Sequence, residues 1–107
     1  MPSASYAATE IDLTIGKVNP TSTQGWHPRS PVLVPSISLE GHTLLLMSGV
    51  NSDTVITFMD ENGDEAFSIV APIGTPTVTL PSTLSGEYEI RLYPTGGSYY
   101  FYGYVLF

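Results

Sequence analysis

Gly86-Glu87-Tyr88-Glu89-Ile90-Arg91-Leu92-Tyr93 alternates polar and apolar side chains residue by residue, the period of a strand that lies with one face on a core. Tyr88, Ile90 and Leu92 fall on one side, Glu87, Glu89 and Arg91 on the other. Pro94-Thr95-Gly96-Gly97 follows, and this is turn chemistry, because proline presets φ and glycine accepts a positive φ. Residues 98–107 then run on as a second strand dense in aromatics. Residues 84–107 therefore read as a β-hairpin, and the rest of the chain is organised around it.

Working outward from the hairpin, residues 77–80 are a short strand that residues 81–85 turn into the one carrying Tyr88. Further back, residues 54–60 and 65–70 flank Glu61-Asn62-Gly63-Asp64. Asn-Gly between β-rich runs predicts a second hairpin with a type I′ turn, since both residues tolerate the positive φ that turn needs. Thr43-Leu44-Leu45-Leu46-Met47 is an apolar run of strand length before the breakers of residues 48–53, which makes it a central strand. Residues 32–39 are β-type, but Pro35 has no N–H to give a ladder, so this strand belongs at an edge or beside a bulge. Residues 16–31 carry Asn19-Pro20, Gln24-Gly25, His27-Pro28 and Ser30-Pro31 and have neither period, so they form a long surface connection. Ile11-Asp12-Leu13-Thr14-Ile15 alternates strictly and predicts a first strand or an added edge strand.

Eight strands, no helix longer than a turn and frequent turn signals predict an all-β sandwich, with about seven core strands plus an N-terminal edge strand. Residues 11–107 are expected to form one domain and residues 1–10 a disordered or processed segment. Its core is expected to draw on Ile37, Leu39, Leu44, Leu46, Ile56, Phe58, Phe67, Ile69, Val78, Leu80, Tyr88, Ile90, Leu92, Phe101, Val105 and Phe107.

Composition narrows the function classes. Ten acidic side chains against three basic ones give the 107 residues a formal charge of -7, which repels phosphate backbones and anionic headgroups. With Lys17, Arg29 and Arg91 alone there is no basic stripe to displace counterions from a nucleic acid. No cysteine is present, so thiolate metal sites and cysteine nucleophiles are excluded. No apolar run reaches the length of a spanning helix. The opening residues are small and polar, and Ser5-Tyr6-Ala7 passes as the end of a cleavage site whose apolar part has been trimmed away. This predicts a secreted or periplasmic protein. A reading frame lacking an upstream apolar segment would defeat that expectation.

Leu84-Ser85-Gly86-Glu87-Tyr88 resembles a tyrosine corner, the device by which immunoglobulin-like and fibronectin type III domains fix a cross-sheet loop; Leu84, Gly86 and Tyr88 are its expected structural residues. Together with Arg29-Ser30, the hairpin at residues 60–63 and the tyrosine- and glycine-containing ending, the span 29–107 resembles a family of small secreted proteins of gut anaerobic bacteria. That family is an immunoglobulin-like sandwich of unknown function. The resemblance implies the fold, an exported location and no established activity. It also implies that Tyr99, Phe101, Val105 and Phe107 point inward. Tyr104 departs from the family, where a charged residue is expected, and makes the outer face unusually aromatic.

The candidates for chemistry are few. Asp60, Glu61, Asp64 and Glu65 crowd one hairpin tip, but without the spacing of a calcium loop they are expected to be a solvated turn. His27 and His42 have no third ligand at a recognisable spacing, and no metal or other cofactor is expected; each is read as a solvated loop histidine. Ser30, Ser36 and Ser38 lie in no nucleophile elbow. Glu87 and Glu89 beside Arg91 are read as a solubilising face rather than a glycosidase pair. What remains is an outer stripe of Tyr100, Tyr102 and Tyr104, extended by Trp26 from the long loop, whose rings are either covered by the N-terminal strand or loop, the favoured reading, or free to suit a sugar face or a protein partner. The expected function is a non-catalytic exported binding or assembly module of the cell envelope, monomeric or weakly dimeric, that recognises a glycan or an envelope protein. A small hydrolase and a purely structural domain are the alternatives. Exposed coplanar tyrosines would favour a glycan; an unpaired strand edge would favour a protein.

Overall fold

The computed structural model describes residues 8–17, 34–97 and 99–107. Among them run nine strands and no helix: β1 (Thr9–Ile11), β2 (Thr14–Lys17), β3 (Ser36–Glu40), β4 (Thr43–Ser48), β5 (Thr54–Met59), β6 (Glu65–Ala71), β7 (Thr77–Thr79), β8 (Glu87–Pro94) and β9 (Tyr99–Leu106). They pair antiparallel into a four-stranded sheet, β1-β3-β4-β7, and a five-stranded sheet, β2-β9-β8-β5-β6. The C-terminal hairpin lies within the larger sheet, with β5 on one flank and β2 on the other.

The inward positions of both sheets make the core, as the alternation requires. Ile37, Leu39, Leu44 and Val78 come from one sheet and Ile56, Phe58, Ile90, Leu92, Phe101 and Val105 from the other, all buried. Leu46, Phe67, Ile69, Tyr88 and Phe107 pack partly buried against them. Each large apolar side chain so placed stabilises the fold by about 1.5–3 kcal/mol. Ile11, Ala71 and Leu84 are buried with them, additions to the expected core.

The N-terminal segment departs from expectation. Residues 11–15 are not one strand: β1 pairs with β3 through Ile11↔Ile37, and β2 pairs with β9 through Ile15↔Phe101. Asp12 and Leu13 carry the chain from one sheet to the other. Both sheets have an edge on this side, so one segment can satisfy both ladders if it crosses between them. The crossing is tight: a Cβ on Gly103 would stand 2.5 Å from the Asp12 carbonyl oxygen and 3.1 Å from Ile11 Cγ2. Only glycine permits that approach.

Three local expectations are also corrected or refined. The strand after Pro35 is an inner one, between β1 and β4, and the proline is accommodated just ahead of a register shift at Ser36/Ile37. The β5–β6 connection is not a two-residue type I′ turn. Its loop is Glu61-Asn62-Gly63, with Asp60 N–H donating to Asp64 O at 2.8 Å and Gly63 N–H to Asp60 O at 3.0 Å. Gly63 takes the left-handed role, at φ +83°, while Asp60 Oδ1 accepts from the N–H groups of Asn62 and Asp64 at 2.9 and 3.0 Å. An aspartate able to bind its own turn displaces the simpler Asn-Gly solution. Finally, His42 is not a solvated loop residue. It is half-buried, donates from Nε2 to Leu84 O at 2.8 Å and stacks on Phe107 with centroids 4.9 Å apart.

Candidate functional site

The outer face of the five-stranded sheet gathers the aromatic side chains. Cross-strand pairing sets them in rows: Tyr102 lies between Thr14 and Arg91, Tyr104 lies opposite Glu89, and Tyr100 lies opposite Gly16. On the far side of β8, Val55, Thr57 and Met59 stand opposite Tyr93, Arg91 and Glu89. Phe101 and Val105 are buried, so Tyr100, Tyr102 and Tyr104 share the outer face of β9.

The face is locked at one end and open at the other. Tyr93 and Tyr100 stack with centroids 5.3 Å apart at 22°, and Tyr102 tilts by 37° against Tyr100 at 5.9 Å. Tyr100 also covers the backbone of Gly16, where a Cβ would meet its ring carbons at 2.6 Å. Arg91 anchors the group. Its Nε and Nη2 donate to Glu89 Oε2 and Oε1 at 3.1 and 3.2 Å, and its Nη1 donates to Tyr93 Oη at 3.3 Å. Its guanidinium carbon lies 5.8 Å from the Tyr100 ring centre, within cation–π range. The hydrogen bonds to Glu89 first, and then to Tyr93, outweigh desolvation and raise the Arg91 pKa above its ordinary value. Both Glu89 carboxylate oxygens are thus engaged in an ion pair with Arg91.

Tyr93, Tyr100 and Tyr102 are half-buried, with ring faces turned toward one another. Tyr104 and Leu106 stand out, 63% and 74% exposed. The structure therefore brings Tyr100, Tyr102 and Tyr104 onto one strand face without making a coplanar row of them. Trp26 lies outside the described residues. Sequence reading missed Tyr93, although carrying the alternation of Glu87, Glu89 and Arg91 one step further puts it on this face.

Leu84, Gly86 and Tyr88 lie at the opposite end of the hairpin. Ser85 N–H donates to Tyr88 Oη at 3.3 Å. Gly86 and Phe107 exchange both backbone bonds, at 3.4 and 2.9 Å, and Tyr88 meets the Phe107 ring edge-on, with centroids 5.7 Å apart. His42 stacks on Phe107 and Phe58 tilts against it with centroids 6.0 Å apart, so Phe107 is held by four partners. These contacts fix the chain end against the loop after β7 and serve packing.

Among the concavities formed by the described residues, two lie at opposite ends of the sandwich. One, of about 770 Å³, opens between β1 and the end of β9 and is lined by Ile11, Leu39, His42, Val105 and Phe107, with Glu10 at its rim. The other, of about 230 Å³, lies at the opposite end, among Pro35, Leu92, Tyr99 and Phe101. The carboxylates near neither are structural where they have partners: Asp53 Oδ1 accepts from Ile73 N–H at 2.8 Å, and Asp60 caps its own turn. Among the described residues no three His, Cys, Asp or Glu side chains are grouped to hold a metal ion.

A solved structure with a similar fold is that of a DUF3244 family protein with an immunoglobulin-like β-sandwich fold from Bacteroides vulgatus. It matches with a TM-score of 0.64 over 94% of this chain and 99% of that one, at 15% sequence identity. The chain thus has an immunoglobulin-like β-sandwich fold, in agreement with the expected fold class. No family model and no curated protein matches it.

Proposed function

We propose that this chain is a non-catalytic, exported binding or assembly module of the cell envelope, whose partner is a protein that docks on the outer face and edge of the five-stranded sheet. One observation carries the reading. Exposed Tyr104 and Leu106 continue a rigid tyrosine cluster out to a strand margin, which is how protein-binding surfaces combine an ordered aromatic anchor with accessible apolar area. A glycan is the weaker reading, because rings that stack on one another at 22° and 37° offer a sugar no flat platform. The non-catalytic part rests on the described carboxylates and histidine that have partners: Glu89, Asp53, Asp60 and His42 are engaged in structural bonds. The exported location rests on the small, polar residues around Ser5-Tyr6-Ala7.

A photo-crosslinking amino acid at position 104, with the same group at exposed Thr79 on the other sheet as control, tests this in the source cells after fractionation. Adducts with an envelope protein from position 104 alone are expected. Equal labelling from both positions, or recovery of the protein in the cytosolic fraction, would sink the reading. Binding on a glycan panel that is lost in Tyr104→Ala would replace the protein partner with a carbohydrate.

A further inference from the structure

The backbone of β9 carries more than the sheet uses. Gly86 and Phe107 exchange both their N–H and C=O bonds. In an antiparallel ladder the groups of successive residues point to opposite sides, so Phe107, Val105 and Gly103 face β8, and Leu106, Tyr104, Tyr102 and Tyr100 face the other way. On that other side β2 pairs with Tyr99 to Tyr102 and stops, because the chain leaves for the four-stranded sheet at Asp12–Leu13. The N–H and C=O groups of Tyr104 and Leu106 are thus left without a strand among the described residues. Both side chains are largely exposed, and β9 itself carries neither a charged side chain nor a proline of the kind that usually protects an edge. Directly beside it opens the groove of about 770 Å³ floored by Ile11, Leu39, Val105 and Phe107.

We infer that this edge accepts an extended segment of another polypeptide as an added antiparallel strand, in continuation of β2. This rests on the protein-partner reading above and specifies its chemistry. The register follows from the pleat. Residues opposite Tyr104 and Leu106 exchange backbone bonds with them and point their side chains outward, and the residue between them, opposite Val105, drops its side chain into the groove. That inward residue is apolar, to match the groove floor. Its outward neighbours are basic, because exposed Glu10 and Asp12 stand at this margin and exposed Glu87 lies across from Leu106, on a chain of net charge -7. The same charge disfavours a second copy as the occupant.

Three synthetic peptides test this on the whole chain: acetyl-Lys-Val-Lys-Val-Lys-Val-Lys-amide, the same peptide N-methylated at its inner lysines, and the same peptide N-methylated at its valines. Strand addition uses the lysine N–H groups and leaves those of valine pointing away. The parent and the valine-methylated peptides are expected to bind with affinities within about threefold of each other, and lysine methylation to weaken binding at least about tenfold, the loss of two or more backbone bonds. Amide exchange at Tyr104 and Leu106 should slow when the parent peptide binds. Leu106→Pro removes a donor on the open side without touching the β8 ladder, so it should weaken binding while the thermal transition stays cooperative. Equal binding of both methylated peptides, or no binding by any, overturns the inference. So do Tyr104 and Leu106 amides already protected in the peptide-free protein, which would mean that a second copy or the chain itself fills the edge. Peptide-induced shifts confined to Tyr93, Tyr100 and Tyr102 would overturn the edge while leaving the tyrosine face as the docking surface.

Discussion

Single side chains in this sandwich matter through the bonds they close rather than through chemistry they perform. Tyr88 takes the Ser85 N–H on its hydroxyl at 3.3 Å while its ring meets Phe107. Tyr88→Phe keeps the ring and removes the acceptor, so it should cost about 1 kcal/mol, the net worth of one hydrogen bond, read as a shift of the urea midpoint with an unchanged slope. Arg91 is more demanding. Its planar fork binds both Glu89 oxygens and Tyr93 Oη together, a geometry that an ammonium cannot reproduce. Arg91→Lys is expected to behave almost like Arg91→Ala in loosening the Tyr93–Tyr100 stack, seen as averaging of the two edges of the Tyr100 ring in NMR spectra. The stability lost should stay near 1 kcal/mol, since the pair is partly solvated. A Tyr100 ring equally rigid in both variants would show that Gly16 and Tyr93 suffice to hold it.

At the scale of elements, the crossing between β1 and β2 is the least forgiving feature. Gly103→Ala would drive a methyl group to 2.5 Å from the Asp12 carbonyl oxygen. That neighbour is backbone and cannot rotate away, so the substitution should destabilise by about 2 kcal/mol, in the range of overpacked sites, with the loss measured by denaturation. A smaller change than Tyr88→Phe produces would mean that the crossing yields freely. This element also marks how far sequence can be read. The strands of the C-terminal hairpin were legible from their period of two, which also set the inward face of β8; on β9, apolar or aromatic on both faces, the period left two choices and the family resemblance picked the inward one. Residues 11–15 had the same period, but alternation states only that a segment is extended. It does not say which sheet pairs with it, and here two edges divide one run. The acidic hairpin was read correctly but its turn type was not, since Asn-Gly is a signal from two residues while the turn was decided by the reach of the Asp60 carboxylate. His42 was read as solvated because Leu84 and Phe107, which hold it, are distant in sequence. Strand parity grouped the three tyrosines and the family resemblance put them outside; the open edge beside them depends on where β2 ends, which no local pattern records.

For the molecule as a whole, the charge of -7 and the unpaired margin of β9 act against each other. Near neutral pH, like charges keep copies apart beyond what short-range edge pairing can overcome at low protein concentration. As pH falls toward the isoelectric point near 4.3, carboxylates take up protons, the repulsion fades, and exposed Tyr104 and Leu106 become the natural place for two copies to meet. Light scattering should therefore rise between pH 5 and about 4.3 at moderate ionic strength, while the fold persists by near-ultraviolet circular dichroism. Charge alone does not account for the rise if the edge is responsible. Leu106→Lys and Thr83→Lys add the same charge, one on the edge and one on an exposed turn, so both move the isoelectric point alike. Only Leu106→Lys places a gatekeeper on the pairing strand, and only it should suppress association when each variant is compared at its own isoelectric point. Equal suppression by both would assign the effect to net charge and leave the edge without a part in self-association.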